Sequence, residues 1–495
     1  MTATAPVPPT VAAAYRQYRD GRPAAALAAL AAAGDDALGH PAGPLLRGAL
    51  ELDERRPESA LRAFQHAAVL DPSLGGTYGN AAVALRRVNS LEAALRLARR
   101  SVVLSPTGAA ARNAVTAVLL DLDRPAPALA VAEAVLSDHR GDAEADLNRG
   151  LALQRLGRLD EARAVLDAAV RRRPGDPAPL HARGYLRLLQ GDLPAGWRER
   201  EARWSLPNQM AMRTEPGIAL WNGEPLDGRH LLVIADEGRG DMIQYVRFLR
   251  RPPLAEARLT LLARAYMVRL FAPALPGVDV RAAPPEMPAD FQTPLSRVPA
   301  VLGTGLAEIP ADIPYLAAEP DRVERWRTRI GDRGFRIAVC WQGNPGTPVD
   351  RGRSIPLAAF APLAAVPGVR LIALQARHGT EQLADLPAGM TVETLGPDYD
   401  RGPDSFVDPA AVACAVDLVV SSDTALAHLA GALGRPVWLA LRKIPDFRWL
   451  LGREDSPWYP TARLFRQRSE GDWAEVMARI AEAVRQRMAA AGTPG

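Results

Sequence analysis

The stretch from Asp417 to Leu441, DLVVSSDTALAHLAGALGRPVWLAL, decides how the second half of this chain is read. Asp417 to Val420 is a short apolar run of β type that passes directly into Ser421, Ser422, Asp423 and Thr424. A helical spacing follows at Leu426, Leu429, Ala430 and Leu433; Gly434 closes it, and a second apolar run starts at Pro436. This order of strand, capping residues, helix and strand is a β-α-β unit. The first turn of such a helix carries free backbone N–H groups and a partial positive charge, which suits a phosphate. A sugar nucleotide needs such a place, and His428 lies where it can face the same crevice. An ordinary buried β-α-β unit with a hydrogen-bonded histidine has the same local pattern, so the reading depends on what surrounds it.

Upstream, the first two hundred residues repeat every 34 positions. One column reads Ala26, Ala60, Ala94, Ala128, Ala162, Gly196; a second, twelve places earlier, reads Ala14, Gly48, Ala82, Thr116, Gly150, Gly184. A third holds Pro72, Pro106 and Pro174, with Arg140 in the gap. Small residues at fixed places let paired helices touch, and the proline ends the second helix of each pair. The pattern resembles the tetratricopeptide repeat, with five repeats over about 7–176 and a degraded sixth to about 200. Such arrays present a concave face to extended peptides or partner surfaces. Asn80 and Asn148 share a column on the first helices, and Asn113 is one place off it. A carboxamide offers a donor and an acceptor to a peptide backbone, so Asn80 and Asn148 are candidate acceptor-binding residues.

Bulk properties narrow the classes. A chain of 495 residues is too long for one core. Lys+Arg 60 against Asp+Glu 56 leaves no nucleic-acid footprint. Lys443 is the only lysine, so arginine must do most phosphate work. Cys340 and Cys414 lie in apolar segments without disulfide or zinc spacing. The opening MTATAPVPPT lacks the pattern of a secretory signal, and no apolar run is long enough to span a bilayer. A cytoplasmic protein is expected.

Between 201 and 228 the repeat breaks into a linker rich in Pro, Gly and Trp. From His230 strands and helices alternate, with strands expected at 230–235, 258–263, 335–341, 369–375, 390–395, 417–421 and 436–441. This is an α/β region of mostly parallel sheet. The Pro-rich stretch 273–320 reads as loops over the first sheet. Two Rossmann-like halves are expected, 229–328 and 329–495, with the last helix packing back across the first half.

Chemistry-bearing residues fall at strand ends. After the first strand, Glu237-Gly238-Arg239-Gly240-Asp241 opens a helix; glycine lets a ligand approach, and Asp241 is placed to accept a proton from an attacking hydroxyl or merely to cap its helix. After 335–341 come Trp341, Gln342, Gly343 and Asn344, then Asp350, Arg351, Gly352 and Arg353, where either arginine can neutralise phosphate oxygens. Gln375 ends the next strand and is placed toward the nucleotide. Asp398-Tyr399-Asp400 has a metal-binding look but no second ligand cluster, and reads as a loop feature. Trp449, Trp458 and Tyr459 belong to an aromatic segment that stacks on a ligand or walls the site.

Four blocks together, LLVIADEGRGDMIQYVRFLR, IAVCWQGNPGTPVDRGRSIPL, SSDTALAHLAGALGRPVW and DSPWYPTARLFRQ, resemble the glycosyltransferase family 9 group, which includes the heptosyltransferases. With the repeats, the layout resembles bacterial tetratricopeptide glycosyltransferases, including those that modify flagellin, and more distantly the O-GlcNAc transferases. The resemblance implies a GT-B fold of two Rossmann-like halves behind a tetratricopeptide superhelix, with no catalytic metal. It implies Asp241 as the base, and Asp423, Thr424 and His428 lining the donor site, with Arg353 near the donor phosphate. Gly240, Trp341, Gly343, Asn344, Gln375 and Ser422 complete the expected donor side. Arg239 makes the first loop more basic than in many relatives.

The expected activity is transfer of a sugar from a nucleotide sugar to Ser or Thr of a protein held by the repeats, flagellin by resemblance. No other cofactor is expected. CMP-linked nonulosonic acids fit the flagellin resemblance; UDP-, ADP- and GDP-sugars fit the fold equally. Two other readings use the same residues: a transferase acting on lipopolysaccharide or surface polysaccharide with the repeats for assembly, and a repeat scaffold with an inactive transferase half.

Overall fold

The computed structural model describes residues 6–206, 212, 214–285, 289–490 and 492. Part of the expected linker (207–211 and 213) and the first five residues of the N-terminal segment lie outside them. The chain divides into two compact units, Met1–Ala182 with Gly346–Pro348, and Arg183–Pro345 with Val349–Gly495.

The first unit is built of helix pairs: α1 (Pro9–Arg19) and α2 (Pro23–Leu38), α3 (Ala42–Asp53) and α4 (Pro57–Leu70), α5 (Gly75–Arg87) and α6 (Leu91–Leu104), α7 (Ala109–Asp121) and α8 (Pro125–Asp138), α9 (Ala143–Arg155) and α10 (Leu159–Arg172). A sixth pair, α11 (Pro177–Leu189) and α12 (Leu193–Arg200), begins in this unit and ends in the second. The small-residue columns explain the packing. Ala26, Ala60, Ala94, Ala128 and Ala162 are fully buried, as are Ala14, Ala82 and Thr116. A Cβ on Gly150 would lie 2.7 Å from Leu166 Cδ2, so that crossing requires glycine. Pro57 and Pro125 open second helices at a position where the missing N–H costs nothing.

Rungs spaced 35 residues apart join successive first helices. Tyr18 donates to Asp53 (2.7 Å) and Arg86 to Asp121 (2.7 Å), while Arg87 and Arg155 donate to the carbonyls of Leu52 and Leu120. Burial and the bond to Asp53 push the Tyr18 hydroxyl up to about 12. Asn113 donates to Asp142 (2.9 Å), whose other bond, from the Ala145 N–H, caps α9.

Among the described residues, the second unit holds two five-stranded sheets in which every pairing is parallel. The first is formed by β1 (Ala219–Leu220), β2 (His230–Ile234), β3 (Arg258–Leu262), β4 (Val278–Arg281) and β5 (Phe291–Pro294), in the order β1-β5-β2-β3-β4. The second comprises β6 (Phe335–Cys340), β7 (Val369–Ala373), β8 (Leu418–Ser421), β9 (Val437–Leu441) and β10 (Ala462–Arg466), in the order β10-β9-β8-β6-β7. β2 and β9 are buried at all five positions, as expected of parallel strands covered on both faces.

Several expectations need correction. The stretch 273–320 supplies β4 and β5, and β5 sits between β1 and β2 rather than in a covering loop. Its four residues end in Pro294, too short for any periodicity to show. The segment 390–395 makes only one bridge, Ile372 to Glu393, because Gly389 and Gly396 with positive φ bound it. β1 lies in the expected linker, and β10 follows the aromatic segment where no strand was expected.

Helices α13 (Arg239–Tyr245), α14 (Ala265–Phe271), α15 (Val298–Val301), α16 (Pro320–Ile330), α17 (Ala361–Ala364), α18 (Val407–Ala415), α19 (Ala425–Ala432) and α20 (Trp473–Ala490) clothe the sheets. The expected boundary at 328 falls inside α16, which packs on α18 and buries Trp326 against Tyr399. The final helix does not take its main packing from the first half: α20 lies on α17, β9 and β10, with Trp473, Val476, Met477 and Ile480 in the second sheet's core.

Candidate active site

In open parallel sheets, ligands bind beyond the carboxyl ends of strands, where chain order reverses. In the first sheet β2 has β3 on one side and β5 on the other, and in the second β6 has β7 and β8, so β2 and β6 mark the reversals. The loops leaving β2, β6 and β8 are those singled out in the sequence. α13 and α19, the helices that follow β2 and β8, pack on each other. A Cβ on Gly240 would lie 3.0 Å from His428 Cδ2, so a side chain there would force one of the two helices to give.

The turn before α19 suits an anion. Thr424 occupies the N-cap but makes no capping hydrogen bond with its side chain; its Oγ1 instead pairs with Ser421 Oγ (3.0 Å). Ser422 is fully buried, and its hydroxyl has no partner among the described residues. Asp423 is half-buried beside Arg353; burial raises its pKa while Arg353 opposes the rise. His428 is buried, stacked on Trp449 at 5.2 Å, with Nδ1 2.9 Å from the Tyr459 hydroxyl. Burial, then Arg448 and Arg247, hold its pKa well below the usual histidine value, so the ring is neutral. Trp449, Trp458 and Tyr459 are buried and wall the site.

Asp241 does not cap its helix. Its Oδ1 accepts from Arg448, and burial pushes its pKa up to about 6 although Arg448 opposes this. Next to it, Glu237 accepts from Arg200 at 3.0 Å and stands 3.1 Å from Arg203. Those two arginines overcome burial and hold Glu237 at about 2. Asp236, one residue earlier, accepts from the Ser296 N–H (3.0 Å) and hydroxyl (2.5 Å), tying β2 to the turn after β5.

On the β6 side, the Gly343 N–H donates to Asp350 (3.1 Å) and Arg353 Nε to the same carboxylate (3.3 Å). Asn344 is exposed on this loop. Arg353, Asp423, Arg442, Asp446 and Tyr185 line a cavity of about 80 Å³. Two expected donor residues are corrected. Trp341 is fully buried in the second sheet's core, its indole N–H given to the Gly379 carbonyl (3.1 Å). Gln375 accepts from the N–H groups of Trp341 and Gln342 and donates to the carbonyls of Gln342 and His378, so it clamps the loop. Asp398 pairs with Arg325 and Arg329 of α16, and Asp400 accepts from the Phe406 N–H within its own loop, so both are committed to structural partners. In the repeats, Asn80 is partly exposed, whereas Asn148 is 5 % exposed with its amide nitrogen buried, which removes it from any ready contact with a partner.

Sequence reasoning missed Arg448, Asp446, Tyr185 and Arg247, and named Glu237 in its turn without giving it a part. The DFRW turn at Asp446–Trp449 carried the signal for the first two, an Asx cap with an arginine two places on. Arg247 gave none: it is 2 % exposed, donates to the carbonyls of Gln244, Pro310 and Trp458, and lies over the Tyr315 and Tyr459 rings.

Comparison with known proteins fits the first half of this picture. Residues 118–177 match the tetratricopeptide repeat family model. Protein FlbA of Caulobacter vibrioides is 28% identical over 467 residues, covering 88% of this chain and 77% of that protein. Among solved structures, TTC0263, a thermophilic TPR protein of Thermus thermophilus, is 21% identical over 33% of this chain and 90% of its own, with a TM-score of 0.32. Pseudomonas aeruginosa pilF is 16% identical over 40% and 89%, with a TM-score of 0.33. The chain thus carries tetratricopeptide repeats, matched over residues 118–177, is similar to FlbA along most of its length, and has a parallel α/β region after the repeats.

Proposed function

We propose that this protein is a glycosyltransferase that moves a sugar from a nucleotide sugar to a Ser or Thr hydroxyl of a protein held by the repeats, with flagellin the acceptor that the resemblance suggests. The observation that carries the reading is the packing of α13, the helix that bears Asp241, on α19, the helix that begins just after Ser422–Thr424, with Gly240 close against His428.

In this reading the donor phosphate takes the open first turn of α19, the Ser422 hydroxyl and Arg353. The acceptor hydroxyl attacks the anomeric carbon and gives its proton to Asp241, while the bond to the nucleotide breaks and its oxygen keeps the electron pair. His428, being neutral, serves as a hydrogen-bonding group, so charge on the leaving nucleotide is met by Arg353 and the helix start. A cavity of about 80 Å³ is smaller than the ~300 Å³ or more that such ligands occupy, so donor entry requires the cleft to widen.

A thermal-shift screen of CMP, UDP, ADP and GDP and their sugars tests this. A true ligand at a hundred times its Kd adds about 2.7 kcal/mol of stability. Transfer to candidate acceptor proteins is then measured with the nucleotide sugar that binds. If none of the four nucleotides shifts the melt, the reading fails.

A further inference from the structure

Arg448 stands in a short 3-10 turn, Phe447–Trp449, just after β9. Asp446 caps this turn by accepting from the Arg448 N–H (3.1 Å), and is itself steadied by the Tyr185 hydroxyl (3.0 Å). The Arg448 side chain is 11% exposed, and all three of its nitrogens donate hydrogen bonds. Nε donates to Gln244 (2.7 Å), one terminal nitrogen to Asp446 (2.6 Å), the other to Asp241 Oδ1 and to the Tyr245 hydroxyl (3.3 Å). Three of these partners lie on α13 of the first sheet and one follows β9 of the second. Asp241 Oδ2 has no hydrogen bond among the described residues, and a Cβ on Gly238 would lie 3.0 Å from it.

We propose that Arg448 is the positioning residue for the transfer: it anchors Oδ1 of Asp241 and so leaves Oδ2 as the one oxygen turned to the acceptor hydroxyl. This rests on the function proposed above, with Asp241 as base. The planar guanidinium suits the task because one fork reaches α13 and Asp446 at fixed angles, which a lysine ammonium does not. Charge matters as well as direction. The charged groups facing Asp241 are Arg448 and Arg200, which favour its ionised form, and Glu237 and Asp446, which oppose it; the Tyr245 hydroxyl, pushed up to about 12, is neutral beside it. Without Arg448, burial and those neighbours act on the carboxyl with less opposition, and Asp241 holds its proton to higher pH.

The test uses the full chain with Arg448→Gln and Arg448→Lys. Three measurements are made on each: the pH profile of kcat/KM, the carboxyl ¹³C titration of Asp241 in aspartate-labelled protein, assigned with Asp241→Asn, and the thermal shift given by the nucleotide. In Arg448→Gln the acid limb and the ¹³C titration should both move up by a pH unit or more, kcat should fall at least tenfold at pH 7, and the nucleotide shift should persist. Arg448→Lys should keep the titration near that of the parent and still lose rate, because the fork is gone. An unmoved limb and titration in Arg448→Gln overturn the proposal. If that variant does not fold, a parental kcat in Arg448→Lys overturns it. Failure of the underlying reading looks different: Asp241→Asn keeps parental activity, or no nucleotide binds, while the ¹³C titration still reports whether Arg448 controls Asp241.

Discussion

Gly240 and His428 touch across the two sheets: a Cβ added to Gly240 would lie 3.0 Å from His428 Cδ2 and 3.5 Å from the Ala425 Cα. His428 has little room to yield, stacked on Trp449 and bonded to Tyr459. Gly240→Ala should therefore push α13 away from α19 and cost about 1–3 kcal/mol, the range for overpacking a core. Misplacement of the base by such a shift is expected to lower kcat by about a hundredfold. A thermal melt and a rate measurement check both; a parental rate would mean that this contact does not set the geometry of the reaction.

Asp241→Asn is expected to cut transfer at least about a hundredfold, the usual scale for losing a general base, and to remove the acid limb near pH 6. The sign for stability follows from the raised pKa. Between the ordinary 3.8 and about 6 the folded chain binds more protons at this site than the unfolded one, so ionising Asp241 costs stability as pH rises through that window. The melting temperature of the Asn variant, measured against pH, should lack this downward slope.

Glu237 has the opposite slope. Its pKa is lowered from 4.5 to about 2, so its stabilisation is present above 4.5 and lost as pH falls through about 2. Glu237→Gln should lose that acid-sensitive component and leave Arg200 and Arg203 without their carboxylate, a cost of about 3 kcal/mol for a broken buried pair. Urea melts at pH 7 and pH 3 measure it: the gap between parent and variant should be wide at pH 7 and narrower at pH 3.

The unit boundary at Ala182/Arg183 predicts where the chain can be cut. α12 holds Glu237 through Arg200, and packs Trp197 on Tyr245 and Phe447 at 6.3 and 5.4 Å. A fragment of residues 183–495 should fold and bind nucleotide, whereas 201–495 should melt lower and bind more weakly. Calorimetry on the two fragments decides; equal binding by 201–495 would show that α12 does not support the site.

Two glycines of the repeats should respond oppositely to alanine. A Cβ on Gly184 would lie 2.7 Å from the Arg200 backbone nitrogen, which cannot swing aside, so Gly184→Ala should destabilise by about 1–3 kcal/mol. Gly76, in the first turn of α5, meets nothing within 4 Å, and alanine there should be neutral or stabilising by up to about 1 kcal/mol. Denaturant midpoints of the two variants check the pair.

Legibility in the sequence followed length and repetition. The helix pairs could be read because the same small residues return every 34 positions and each return is buried. β2, β3, β6, β7, β8 and β9 could be read because parallel strands covered on both faces are continuous apolar runs. β1, β4, β5 and β10 were hidden: two to five residues, partly polar or ending in proline, carry no period. For the proposed site, glycine turns and helix starts are what single out Asp241, Ser422, Asp423, Thr424 and His428 in the sequence. Trp341 and Gln375 misled because position at a strand's end does not say whether a side chain turns into the core or the cleft.

The sequence by itself determined the repeat array, the parallel α/β region after it and the loops at which strands hand over to helices, because these depend on local spacing and on which residues can be buried. Only the tertiary structure decided that Arg448 and Asp446 meet Asp241, that Arg200 of the last repeat helix holds Glu237, and that Arg247 is buried among carbonyls and rings. Those partners lie up to 211 residues apart. Their meeting is set by how two sheets and a helix pair close on one another, which no short-range pattern records.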